Sequence, residues 1–344
     1  MSLHLPFADP ALRGSIKQQP EDFFVEEQLG FELSGQGEHL YLYIEKIQLT
    51  THELIQQLAK AASLHPRHIG YSGLKDKHAI TRQWISLHMP GVKNHPQIEN
   101  GERFKVLQAQ WHDKKLRTGV HRSNRFTVVV KNLTGQSDRL EQIVEAIRVQ
   151  GFANYFGEQR FGANNENVEQ ALRILTHRHK AKRLSRQRKS LYISALRSEL
   201  FNAILSKRIE LGVWERPLPG DLFMLNGTHS LFEADIDPSI YSRYRDMDIH
   251  SAVSLYGEGI SRINDQAAVL EEEIFHQHGE MTAVLDQTGV KYAYRAHRAV
   301  AVDLQVKLDE KANAMLIQVA LEKGVFLTSL ISHFVDFSDT DQRL

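Results

Sequence analysis

An aspartate between two lysines, Lys75-Asp76-Lys77, lies in the run Gly70-Tyr71-Ser72-Gly73-Leu74-Lys75-Asp76-Lys77-His78-Ala79-Ile80-Thr81-Arg82-Gln83-Trp84, which leads into a strand-like segment. In a pocket, Lys75 and Lys77 would favour the ionised form of Asp76 and keep it ready as a base or nucleophile at neutral pH. On the surface, the same triplet after a glycine is a solvated turn. A second run, Lys17-Gln18-Gln19-Pro20-Glu21-Asp22-Phe23-Phe24-Val25-Glu26-Glu27, offers a lysine to pair with a carboxylate and an aromatic ring to stack on a nucleobase. Read plainly, it is a first strand with a polar lead. A third, Asn154-Tyr155-Phe156-Gly157-Glu158-Gln159-Arg160-Phe161-Gly162, sets three aromatics among glycines, either as a shaped turn that a ligand approaches or as an aromatic hinge packed in the core.

Charge adds a second kind of signal. The 344 residues carry 42 Lys+Arg and 42 Asp+Glu, a formal net charge of zero, so only the distribution can point to a polyanionic partner. Between Arg173 and Lys189 stand Arg173, Arg178, Lys180, Lys182, Arg183, Arg186, Arg188 and Lys189 with no acidic residue among them. Lys114, Lys115, Arg117, Arg122 and Arg125 form a second basic cluster, while acids gather elsewhere, as at Glu271, Glu272 and Glu273. Such segregation suits a phosphate backbone, and a solvated helix face is the plainer reading. The 18 histidines include the pairs His177/His179 and His276/His278, neither with a third ligand at metal spacing, so no metal is expected. Phosphate-loop and dinucleotide-binding glycine motifs are missing, and no cofactor is expected. With Cys at 0 there is no disulfide framework, and no apolar run reaches membrane-span length; a cytoplasmic protein is expected.

These residues need elements to position them. Alternation over Leu40 to Ile44 and Trp84 to Leu87, and the β-branched and aromatic run Phe126 to Val130, predict strands. Thr50 and Glu53 make a capping box ahead of Leu54, Ile55, Leu58, Ala61 and Ala62, and Leu140, Ile143, Val144 and Ile147 form an apolar stripe that stops at Gly151, so two helices are predicted there. Further helices are predicted around Ser194 to Gly212 and Asp265 to His278, flanking a stretch rich in Gly, Pro and Asp. Val300, Val302, Leu304, Val306 and Leu308, then Met315, Ile317, Val319 and Leu321, predict an antiparallel hairpin turning at Asp309 to Asn313. A lone hairpin is marginally stable, so it should join the early strands and leave the middle of the chain as an insertion.

The ordered set Lys17-x-x-Pro-Glu-Asp-Phe23, Gly73-Leu-Lys-Asp-Lys-His-Ala-x-Thr-x-Gln83, Asn124-Arg-Phe126, Asn154-Tyr-Phe-Gly-x-Gln-Arg-Phe-Gly162 and Lys323-Gly-x-Phe-x-Thr-Ser329 resembles the TruD family of tRNA pseudouridine synthases across nearly the whole chain. The resemblance implies an α+β fold: a pseudouridine-synthase catalytic domain, residues 1–150 and 299–344, with a mixed, mainly antiparallel sheet, and a family-specific α+β insertion domain, residues 151–298. By the same resemblance Asp76 matches the catalytic aspartate, Phe23, Asn124 and Phe326 match positions lining the uridine site, and Lys17 matches a motif lysine, which we expect to pair with Asp76. The implied reaction turns a tRNA uridine, at position 13 in the D-arm, into its C-glycoside. Asp76 would act either by taking the C2′ proton or by covalent attack, and the target must leave its stack. Lys114, Lys115, Arg117, Arg122, Arg178, Lys180, Lys182, Arg183, Arg186, Arg188 and Lys189 are then expected to flank a cleft and follow the RNA backbone. A monomer is expected. Two other classes compete: a non-catalytic RNA-binding or chaperone protein, which has no need of Asp76, and a glycoside- or nucleoside-hydrolysing enzyme, which would release free base.

Overall fold

The computed structural model describes residues 3–7, 9–92, 98–162 and 165–339. The chain begins with strands β1 (Leu12–Ile16), β2 (Phe23–Gln28), β3 (His39–Ile47), β4 (Ile69–Tyr71), β5 (Ile80–His88), β6 (Phe104–His112) and β7 (Ser123–Gly135), with helix α1 (Thr51–Ala61) between β3 and β4. The middle carries α2 (Leu140–Gln150), β8 (Phe152–Ala153), α3 (Glu166–Leu175), α4 (Arg178–Lys182), α5 (Arg186–Glu210), β9 (Leu222–Leu225), β10 (Leu231–Glu233), α6 (Pro238–Arg245) and β11 (Ile249–Leu255). It continues through α7 (Asp265–Gln277), α8 (Gly279–Asp286), β12 (Ala293–Ala296) and β13 (Arg298–Ala299). The last elements are β14 (Val302–Asp309), β15 (Ala314–Glu322), α9 (Leu327–Ile331) and β16 (Val335–Asp339). The class is α+β, as expected.

The chain forms two compact units, each described by itself. A sheet unit comprises Ala11–Ser137, Ala301–Gly324 and Val335–Leu344; a helix-rich unit comprises Met1–Pro10, Asp138–Val300 and Val325–Phe334. These limits do not coincide with residues 150/151 and 298/299. The differing pieces go where their apolar side chains pack: Leu3, Leu5, Phe7 and Phe326 lie against the core of the helix-rich unit.

In the sheet unit the strands run in the order β14-β15-β7-β2-β5-β3-β6, with β1 joining β7 and β16, and β4 joining β5. Pairing is antiparallel except for β2 with β5 and β1 with β16, so the sheet is mixed and mainly antiparallel. The predicted hairpin is present as β14 and β15, and β15 pairs β7 from Met315 to Glu322. Its turn is fastened by the Asp309 carboxylate, which accepts the Lys311 and Ala312 N–H groups, and Asn313 takes the left-handed conformation at φ 48°. The predicted cap of α1 is also present: the Thr50 hydroxyl accepts the Glu53 N–H at 3.1 Å while Glu53 accepts the Thr50 N–H at 2.8 Å. Such a cap contributes ~1 kcal/mol. Helix α1 lays Leu54, Ile55 and Leu58 on Leu40, Leu42 and Ile44 of β3 and Ile85 and Leu87 of β5, each fully buried leucine or isoleucine contributing ~1.5–3 kcal/mol.

Register places chemistry on that same sheet face. Phe23, Val25 and Glu27 of β2 stand opposite Val128, Phe126 and Asn124 of β7. Thr81 and Gln83 of β5 stand opposite Lys46 and Ile44 of β3. Because side chains alternate at period two, Phe24, Glu26, Arg82 and Glu45 turn to the other face, where Arg82 bridges Glu26 at 2.9 Å and Glu45 at 2.8 Å.

The helix-rich unit has a four-stranded sheet, β10-β9-β11-β12, and the short pair β8 and β13. Helix α5 is its spine, with Leu196, Leu200, Phe201, Ile204 and Leu205 fully buried. It starts at Arg186, eight residues before the predicted Ser194, because its first two turns are basic and show no apolar periodicity. Gly151 ends α2 at φ 77°, and a Cβ there would lie 2.6 Å from the Ala299 carbonyl oxygen.

Candidate active site

Asp76 lies in the loop between β4 and β5, its side chain 37% exposed, with a carboxylate oxygen 3.2 Å from the Lys17 ammonium, which is 1% exposed. Lys17 follows β1 in the left-handed conformation, φ 55°, a sparsely populated one for a side-chain-bearing residue that costs of order 1 kcal/mol. Its ammonium also lies 5.0 Å from the centre of the Phe23 ring. Lys17 thereby brings together three of the residues singled out from sequence. Phe23 itself is 4% exposed and meets Phe126 edge-on at 6.2 Å, so in this conformation little of the ring is open to a base.

The loop is fastened at several points. The Lys46 ammonium, on β3, donates to the Asp76 carbonyl at 2.8 Å and the Leu49 carbonyl at 2.6 Å. Burial pushes this lysine down to about 8, against the opposing pull of Asp76. The Lys75 N–H donates to the Thr51 hydroxyl at 3.0 Å, and that hydroxyl donates to Gln83. The Lys75 ammonium turns to Glu27, 2.6 Å away, with both side chains at most 6% exposed. This corrects the expectation that Lys75 accompanies Asp76: a second buried carboxylate claims it, and Lys77 is exposed. Burial raises the Glu27 carboxyl above its usual range, and Lys75 opposes that rise.

At the start of the loop, the Ser72 hydroxyl accepts the His121 N–H at 2.8 Å and lies 2.6 Å from His121 Nδ1. His121 Nε2 lies 3.4 Å from the side-chain amide of Asn124. Gly73 leaves room for this ring, since a Cβ there would sit 3.3 Å from its Cε1. Lys46 and His121 were not singled out from sequence, and Ser72 and Glu27 stood inside candidate runs without a role of their own. The lysine stands on a strand at an inward position whose alternation calls for an apolar residue, and that is the signal that could have marked it.

Phe326 belongs to the helix-rich unit. It packs on Phe156 with ring centres 5.8 Å apart, and the guanidinium groups of Arg160 and Arg295 lie 5.7 and 6.0 Å from it. The Asn154 to Gly162 run forms buried core there, with Asn154, Tyr155, Phe156 and Phe161 all buried. Burial and the neighbouring Arg160 push Arg295 down to about 9. Among the expected phosphate contacts, Lys114, Arg117, Arg122, Lys182, Arg183, Arg186 and Arg188 are exposed, and Lys115 and Lys189 are half-buried. The side chains of Arg178 and Lys180 lie outside the described residues. Lys114, Lys115 and Arg117 line a cavity of about 810 Å³ in the sheet unit with Phe31, Tyr41 and His112. Arg186 and Lys189 line one of about 470 Å³ in the helix-rich unit with Arg197, Ser194 and Thr288. Among the described residues no helix is long and apolar enough to cross a membrane.

Comparison with known proteins places this arrangement. A model of the family described as tRNA pseudouridine synthase D (TruD) matches residues 7–181 and 166–334. The tRNA pseudouridine synthase D of Methylococcus capsulatus is 38% identical over 328 residues, covering 94% of this chain and 92% of that protein. That of Hydrogenovibrio crunogenus is 37% identical over 305 residues, covering 88% and 87%. A crystal structure described as a putative tRNA pseudouridine synthase D from Methanosarcina mazei superposes with a TM-score of 0.77 at 17% identity, covering 98% of this chain and 97% of that one, which speaks for the fold. By the family model and by the extent of these matches, the chain belongs to the tRNA pseudouridine synthase D family.

Proposed function

We propose that the sheet unit is the catalytic part and that Asp76 is the residue that acts on the uridine, at position 13 in the D-arm of tRNA. Family membership carries the coarser statement: the chain is a tRNA pseudouridine synthase, an isomerase. The observation that carries the finer reading is the partly exposed Asp76 carboxylate held by the buried Lys17 ammonium at 3.2 Å. An ion pair with a buried partner holds the carboxylate in place and aimed, while its exposed part leaves room for a sugar.

The reaction breaks the N1 to C1′ bond, turns the base and joins C5 to C1′, with the C5 proton released and N1 protonated, so no atom is gained or lost overall. Asp76 suits either route to it, removing the C2′ proton to give a glycal or attacking covalently and departing later. Lys17 would hold the charge of Asp76 in place through both. Asn124 would contact the base edge, and Phe23 would stack on it once it has left the helix. The basic residues of both clusters would contact phosphates, and neutralising any one of them should lower the salt slope of tRNA binding by ~1. The absence of cysteine fits a cytoplasmic setting.

The test is pseudouridine formation in unmodified tRNA transcripts, mapped by position, with wild type and Asp76→Asn side by side in EDTA. Conversion of one D-arm uridine by wild type, with an Asn form that binds tRNA and converts none, supports the reading. Equal behaviour of the two forms would transfer the case to a non-catalytic RNA-binding protein, and release of free uracil to a hydrolase.

A further inference from the structure

The hydrogen bonds around Asn124 decide which of its two polar ends is free. Ser72 is 1% exposed, and its hydroxyl oxygen already accepts the His121 backbone N–H at 2.8 Å. Its one hydrogen needs an acceptor, and among the described residues the one at hand is His121 Nδ1, 2.6 Å away. If Nδ1 carried the proton instead, the serine hydrogen would be buried and unpaired, which native structures avoid. Nδ1 is therefore the acceptor. Burial, Lys75 and Lys323 push the imidazole down to about 4, so at neutral pH the ring is neutral and its single proton is on Nε2.

That N–H requires an acceptor in turn. The Asn124 amide is beside it with Nδ2 at 3.4 Å, a donor facing a donor, while Asn124 Oδ1 is buried with no hydrogen-bond partner among the described residues. The two ends of an amide have the same shape and are told apart only by their partners. Exchanging them gives Nε2–H its acceptor and Oδ1 its donor in one step. Nδ2 then takes the buried position that has no hydrogen-bond partner among the described residues, so it is the end with capacity left over, and a base must open that position to reach it.

We infer that Ser72 and His121 are positioning residues that lock the Asn124 amide with its oxygen on His121 and its amino group free to donate to the C4 carbonyl of the target base. This rests on the reading of Asn124 as a base contact. A fixed donor at that point accepts uracil, whose C4 bears an oxygen, and opposes cytosine, whose C4 bears an amino group that is itself a donor. The selectivity arises from leaving a buried polar group unpaired with the wrong base. The Ser72-Gly73 step serves the same end, the serine supplying the hydrogen and the glycine the space for the ring.

The tautomer is read directly by ¹⁵N NMR of the imidazole nitrogens in wild-type protein at neutral pH, with His121→Asn assigning the signal. An unprotonated Nδ1 and a protonated Nε2 are expected; an Nδ1–H ring or an imidazolium overturns the inference. A second arm compares binding of two tRNA transcripts that carry uridine or cytidine at the target position. Wild type should prefer uridine, and Ser72→Ala should lower the uridine-over-cytidine ratio by at least about tenfold, whereas a merely structural role would weaken both RNAs alike. Ser72→Thr, which keeps the hydroxyl, should retain the ratio. An unchanged ratio in a folded Ser72→Ala protein, or a wild type that binds both RNAs equally, overturns the inference. Should Ser72→Ala fail to fold, the wild-type tautomer still decides. A wild type that makes no pseudouridine defeats the proposed activity, but the tautomer is measured without RNA and is judged separately.

Discussion

In the sheet unit, the buried cations at the Asp76 loop are lysines, and their ammonium groups are spent on a few short contacts: Lys17 on Asp76, Lys75 on Glu27 and Lys46 on two backbone carbonyls. Among the described residues of the helix-rich unit the buried and half-buried cations at its core are arginines, and two of them lie over aromatic rings. Arg295 is 4.3 Å from the centre of Phe156 and Arg298 is 4.2 Å from that of Tyr244, while Arg208 is paired with Asp221 where both side chains are fully buried. An ammonium is a compact point charge on a flexible stem, and a guanidinium is a rigid donor fork that stacks. The difference separates two tasks: the lysines set the charge and backbone position of one loop, whereas the arginines tie strands, rings and carbonyls into a scaffold. Arg298 donates to the Tyr244 and Ile249 carbonyls and to His250, which joins α6, β11 and β13 in one network.

On that view, damage to an arginine pair should appear in stability and damage to a loop lysine in rate. The largest effect is expected at Asp221→Ala, which leaves Arg208 charged and fully buried without its carboxylate. Unfolding in urea should show a loss of ~3–5 kcal/mol, the usual cost of breaking a buried pair from one side. Glu27→Gln strands Lys75 in the same manner but should cost less. Burial already holds the Glu27 carboxyl above its usual range in spite of Lys75, so that pair sits nearer to break-even. Equal losses at the two sites would remove the distinction between scaffold and loop.

Next is Lys17→Met. The methionine keeps most of the buried stem and removes the charge beside Asp76, so the fold should tolerate it while single-turnover pseudouridine formation falls ~100-fold, about 2.7 kcal/mol in the barrier. Binding of tRNA should stay within a few-fold of wild type. A normal rate with a large loss of stability would place Lys17 with the arginines as a structural cation.

Much of the fold and of the site was legible in the amino-acid order, and the gaps have physical causes. The box at Thr50 and Glu53 and the alternation of Met315, Ile317, Val319 and Leu321 are local patterns, and α1 and β15 follow them. Asp76, Lys17, Phe23 and Asn124 stood in ordered motifs, and the first three meet around one ammonium. Lys75 was assigned to the wrong carboxylate because adjacency in sequence does not say which way a loop side chain turns, and Glu27 lies 48 positions away on β2. Lys46 and His121 escaped notice because their partners are set by the register of β3 on β5 and by the loop before β7, and no spacing encodes either. The start of α5 was missed since its first turns carry charge rather than periodicity.

The smallest effect sharpens the loop side of the comparison. Lys46→Met frees the Asp76 carbonyl without touching the carboxylate, so the expected rate loss is only about tenfold, ~1.4 kcal/mol. Its signature is in pH. The folded lysine gives up its proton near pH 8, whereas in the unfolded chain it does so near the ordinary 10.5, so between these values the unfolded state binds more protons. Stability from this group then rises with pH across that window, and falls as pH drops towards 8. Measured by urea unfolding, the wild type should gain about 2 kcal/mol on Lys46→Met between pH 8 and pH 10. The acid side should show the same sign from the other unit. Burial holds His250 down to about 3 and His333 to about 4, against an ordinary 6.5, so stability is lost as pH falls from 6.5 towards 4 whether or not Lys46 is present. A Lys46→Met protein whose alkaline profile matched that of wild type would mean that the ammonium at the Asp76 carbonyl is not held out of water, and the lysine would then belong to the surface of the loop rather than to its support.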